Sequence, residues 1–80
     1  MATLRKRFGS RLRDIRLRRR MTQEQFAEAL DMSVDFLSLI ERGINAPSFE
    51  TLEKISRRLR VPVSELFTFT ASRERSTASR

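Results

Sequence analysis

The 80-residue chain contains no histidine and no cysteine, which removes the commonest metal ligand, the neutral-pH proton shuttle and any disulfide. What is left to do chemistry with is charge: 17 lysine and arginine side chains against 10 aspartates and glutamates, a net +7. That sum hides an asymmetry. Residues 1–20 carry nine basic groups and one acid, residues 21–66 five and eight, and residues 67–80 three and one. Positive charge gathered at one end attracts a polyanion, either a nucleic acid or an anionic membrane surface; the plainer reading is a solvated arginine face. No catalytic site, metal or cofactor is expected. No apolar run approaches the roughly 20 residues of a membrane span, and the basic N-terminus lacks the apolar segment of a signal peptide, so the cytoplasm is the expected location.

The elements that must carry these charges are helical. A chain of 80 residues holds one domain whose core contributes only a few kcal/mol of net stability, which favours self-association or ligand binding. From about Leu4 to Arg19, Phe8, Leu12 and Ile15 step by four and three, the period of a helix buried on one side. Gly9 within it costs roughly 1 kcal/mol relative to alanine, which predicts a close approach by another helix. Thr22 with Gln25 three residues later reads as a capping box, so a second helix begins at about Gln23 with Phe26, Ala27 and Leu30 inward. The pattern breaks at Asp31-Met32 and restarts at Ser33, a second good N-cap. In the third helix, at roughly 100° per residue, Leu37 and Ile40 share with Ser33 and Glu41 the inward side, which is expected to face the second helix. Asp35, Ser38, Leu39 and Arg42 lie outward, with Val34 and Phe36 on the flanks. Two short helices joined by so tight a turn form a crossed pair, a helix-turn-helix.

Gly43 ends the third helix, and Pro47 blocks helical continuation until Ser48 caps the next. A fourth helix over about Phe49 to Leu59 is expected to turn Phe49, Leu52, Ile55 and Leu59 inward, and a short fifth to run from about Ser64 to Phe67. Residues 1–69 therefore read as one all-α, five-helix domain. Residues 70–80, rich in Ser, Thr and Arg without apolar period, read as a disordered basic tail.

An ordered series of short motifs now narrows the class: L-R-x-x-R at residues 12–16, T-Q-x-x-x-A at 22–27, I-E-R-G at 40–43, N-A-P-S at 45–48 and L-E-K-I at 52–55. Together they resemble the Cro and lambdoid-repressor type of helix-turn-helix, the Xre family, over about residues 8–67. The resemblance implies a lambda-repressor-like DNA-binding domain whose third helix enters the major groove of double-stranded DNA while the first crosses its backbone. It places Val34, Asp35 and Leu39 at base edges. Gln23, Ser33, Ser38, Arg42 and Asn45 fall at phosphates or the groove wall. It pairs Arg16 with Glu41 as a structural ion pair, and assigns Leu66, Phe67 and Phe69 to a homodimer interface. Asp31 and Arg60 stand where the family usually has glycine; aspartate tolerates a left-handed backbone better than most residues, and Arg60 implies strain or a shifted cap.

The base-facing set departs from the family. Two of its three residues are apolar and one is acidic, so the bidentate purine contacts that supply much of direct readout are missing. Val34 and Leu39 can pack on thymine methyls, Asp35 can accept from cytosine N4, and deformation of the duplex can add discrimination. The sequence reading is a transcriptional regulator, repressor or autoregulator, acting as a homodimer on a palindromic operator. The alternative is a protein-interaction module or antitoxin that docks a toxin through Val34, Phe36 and Leu39, since clustered exposed apolar groups mark interfaces. Glu24 and Glu28 form an outer acidic strip of the kind with which some activators of the family touch RNA polymerase.

Overall fold

The computed structural model describes residues 2–69. Its helices are α1 (Leu4–Arg18), α2 (Gln23–Ala29), α3 (Val34–Glu41), α4 (Phe49–Leu59) and α5 (Val63–Leu66). The described residues contain no strand, as the sequence period requires. The expected tail, residues 70–80, lies outside them.

Four helices start the same way. Thr3, Thr22, Ser33 and Ser48 hold an extended backbone while their hydroxyls accept from the N–H three residues on, at Lys6, Gln25, Phe36 and Thr51. At Thr22 the box is complete, because the side-chain Oε1 of Gln25 accepts from the Thr22 N–H at 2.9 Å. Each such cap satisfies one of the donors that the first turn leaves without a partner, worth about 1 kcal/mol. Pro62 starts α5 without a side-chain cap, and its extended backbone begins that helix at Val63, one residue earlier than expected.

The same four helices also end alike. Arg20, Asp31, Gly43 and Arg60 adopt φ of 59°, 58°, 77° and 59°. The residue after each, Met21, Met32, Ile44 and Val61, donates its N–H to the carbonyl five back, at 3.2, 3.0, 2.9 and 3.1 Å. This is the Schellman closure, in which a left-handed residue lets the chain turn over the last open carbonyls. Only Gly43 meets that geometry without steric cost; in the other three a side chain bears it. The expectation for Asp31 holds, and the strain expected at Arg60 is there.

The core joins Phe8, Leu12 and Ile15 of α1 to Phe26, Ala27, Leu30, Leu37, Ile40, Leu52, Ile55, Leu59 and Leu66. α1 and α3 meet at Gly9, where an added Cβ would collide with the carbonyl oxygen of Ile40 and lie 2.8 Å from that of Glu41. The close approach read from the sequence is therefore backbone against backbone. Two expectations are corrected. Phe49 does not face inward: it is 83% exposed, because as the first residue of α4 it lies one turn beyond the buried stripe of Leu52, Ile55 and Leu59. Leu66 is 0% exposed and closes the core of this same chain, so it has no surface to offer a second copy.

Candidate nucleic-acid interface

α3 is held from behind by an ion pair that bridges three helices. The Arg16 guanidinium binds the Glu41 carboxylate through both ends, Nε to Oε2 at 2.8 Å and Nη2 to Oε1 at 3.1 Å. Its Nη1 donates to the Met21 carbonyl at 3.1 Å. The Gln23 amide nitrogen, at the start of α2, donates to Glu41 Oε1 at 3.0 Å. The Glu41 side chain is 2% exposed and that of Arg16 11%. A carboxylate this deeply desolvated persists because bidentate, charge-assisted donors compensate it. The sequence anticipated the pair. It assigned Gln23 to a phosphate, whereas in the structure Gln23 completes this network, and its second amide hydrogen is the one left for a backbone oxygen.

With its inner side fixed, α3 turns Asp35 and Arg42 to solvent and leaves Ser38 and Leu39 half-buried. Ser33 is exposed, but its hydroxyl is already used as acceptor for the Phe36 N–H at 3.0 Å. Asn45 is half-buried in the loop beyond Gly43. Val34 and Phe36 pack partly against the core, and all three members of the apolar patch in the alternative reading, Val34, Phe36 and Leu39, are half-buried.

The arginine belt of α1 divides. Arg11 reaches α5, donating through Nε to the Glu65 carbonyl at 2.8 Å and pairing with its carboxylate at 3.2 Å. Arg19 donates to the Leu59 carbonyl at the end of α4, 3.1 Å away. Arg7 lies over the Phe69 ring, 4.7 Å from its centroid, and that ring continues a row from Phe8 through Phe67, with centroids 5.2 and 6.2 Å apart. Arg18 sits 3.2 Å from Asp14 at ion-pair distance, although that carboxylate oxygen has no aligned hydrogen bond. Arg5 donates to the Ile44 carbonyl at 3.3 Å. Much of the charge that looked free in the sequence therefore staples α1 to α4, α5 and the loop after α3. An arginine that caps a distant carbonyl has no local sequence signature.

A second feature was not legible either. Lys54 of α4 donates to the Asp31 carbonyl at 2.8 Å, and Arg58 approaches the Asp31 carboxylate at 3.7 Å. The turn between α2 and α3 is thus tied to α4.

Comparison with known proteins decides the family. A helix-turn-helix family profile matches residues 12–66, all five helices except the first two turns of α1. The chain belongs to the Xre-type helix-turn-helix family. It is similar to the control protein C.BamHI of Bacillus amyloliquefaciens, 41% identical over 79% of this chain and 79% of that one. It is also similar to the cryptic phage CTXphi transcriptional repressor RstR of Vibrio cholerae, 34% identical over 74% of this chain; the chain spans about half of RstR, 53% of its length. Among solved structures, the restriction-modification controller protein C.AhdI from Aeromonas hydrophila superposes with a TM-score of 0.72 at 29% identity, covering 78% of this chain and 94% of that one. The described residues of this chain form the all-α helix-turn-helix domain of that family. No helix among its described residues is long and apolar enough to cross a membrane.

Proposed function

We propose that this protein is a transcriptional repressor or autoregulator that binds a palindromic operator as a homodimer, with α3 in the major groove. The observation that carries the proposal is the buried Arg16–Glu41–Gln23 network. It fixes α3 by its inner side and leaves Asp35, Leu39 and Arg42 available to a duplex. Val34, Asp35 and Leu39 face base edges. Ser33, Ser38, Arg42, Asn45 and the remaining amide hydrogen of Gln23 hold the groove wall and phosphates. Half-sites lie about 34 Å apart, one helical turn, and the two copies meet through Phe67 and Phe69, both half-buried at the end of the chain's described part. The names of C.BamHI and RstR support control and repression, respectively, as the kind of outcome.

The test is selection of bound duplexes from a random pool, followed by titration of the winner against salt. The proposal expects a palindromic consensus and an affinity that falls by roughly 0.9 log units per log unit of salt for each phosphate neutralised. Retention of no duplex at low ionic strength would reject it. Binding that is indifferent to salt would instead favour an apolar protein interface.

A further inference from the structure

Resting on the DNA-binding reading above, we infer that Lys6 and Arg13 are the residues of α1 that grip the phosphate backbone, while the other α1 arginines hold the fold. Of the cations in α1, Arg5, Arg7, Arg11, Arg16 and Arg18 each have a partner within the chain. Among the described residues Lys6 and Arg13 have none for their side chains, and both are exposed.

Their placement is as telling as their freedom. Gly9 marks the side of α1 that touches the end of α3, against the carbonyls of Ile40 and Glu41. At about 100° per residue, Lys6 and Arg13 lie within roughly 60° of Gly9 and 20° of each other, on one ridge beside that contact. The stem of Lys6 lies over Gly43, where an added Cβ would come within 2.9 Å of the Lys6 Cα, so this cation is rooted at the end of α3, where Gly43 follows Arg42 in sequence. Arg13 precedes Arg16 by one turn, and Arg16 reaches the Met21 carbonyl just ahead of α2. The two free cations therefore flank the two ends of the helix-turn-helix. Seven residues apart, they stand about 10.5 Å apart along the helix axis, against one phosphate per roughly 1.7 Å of duplex axis, so they address separate phosphates. Arg18, by the same geometry, points about 120–140° away from this ridge.

The competing explanation for Lys6 is purely structural: its charge offsets the negative end of α3. The two roles separate in one experiment. Lys6→Gln and Arg13→Gln, which keep long polar stems, and Arg18→Gln as control are titrated with the selected duplex across a tenfold range of salt, and each is melted in parallel. Each ridge variant is expected to flatten the salt slope by about 1.8, roughly 0.9 for each of the two copies on the palindrome, with its melting curve unchanged, the double variant by about twice that, Lys6→Arg to restore it, and Arg18→Gln to leave it alone. A slope unchanged in both ridge variants, a Lys6→Gln variant that loses only thermal stability, or a control that flattens equally would overturn the inference while DNA binding itself stood. Absence of binding by the unaltered protein would take down both.

Discussion

Glu41 is the residue on which the orientation of α3 depends. One buried carboxylate accepts from the guanidinium of α1 and the amide of α2 while belonging to α3. Removing one partner of such a pair leaves an uncompensated charge inside, at about 3–5 kcal/mol, and a small domain has little more than that to lose. Glu41→Ala is therefore expected to unfold the protein or lower its melting temperature by tens of degrees, measured by circular dichroism; a shift of a degree or two would show the pair to be dispensable. Asp35 presents the opposite case, an exposed acid on the surface offered to a polyanion. Its cost falls on every duplex alike, so Asp35→Asn should raise affinity for unrelated sequences severalfold and narrow the gap to the operator, a change that fluorescence anisotropy with a non-operator duplex reads directly.

At the scale of the element, the four matched helix endings carry a prediction. Arg20, Asp31 and Arg60 hold a left-handed backbone that costs a side-chain-bearing residue about 1 kcal/mol more than glycine before the entropy of the unfolded chain is counted. Arg20→Gly and Arg60→Gly should each raise the melting temperature by a few degrees, since about 1 kcal/mol moves a domain of this size by roughly 4–8 °C. Asp31→Gly should gain less, because it gives up the 3.7 Å approach of Arg58. Gly9→Ala runs the other way. Its methyl has only the backbone of α3 to push against, so α1 and α3 must separate and the protein must melt earlier. These endings also show what a sequence makes legible. Ser or Thr before an apolar stripe announced three of the four capped starts, and Gly43 announced its own turn, because those residue types have local reasons to be there. Arg20 gave no such sign: the geometry is imposed by closing a turn between packed helices, and arginine merely tolerates it. Phe49 misled for a related reason, since the helical period marks a side of α4 but not where along that side the neighbouring helices stop.

At the scale of the whole molecule, the question is which surfaces remain once the fold has used its share. The Arg16–Glu41 pair was readable because family motifs put both residues at their stations; the staples from Arg11 and Arg19 were not, because they bind carbonyls 54 and 40 residues away. The C-terminal aromatics show the same division. With Leu66 committed to the core and Phe67 packed at a tilt against Phe8, the proposed dimer must rest mainly on the outer edges of Phe67 and Phe69. It is therefore expected to be a weak one, strengthened when two copies sit on one duplex. Sedimentation should show monomer and dimer exchanging in the micromolar range and a shift to dimer on operator DNA; a monomer at high micromolar concentration with DNA present would remove the two-fold reading. The anchoring of α3 by its inner side has one more consequence. Since its axis is set by groups on its inner side, positions 34, 35, 38, 39 and 42 are expected, on the DNA-binding proposal, to work as an exchangeable cassette. Transplanting those five side chains from a relative of known preference should carry that preference across intact, with no retuning of the scaffold beneath.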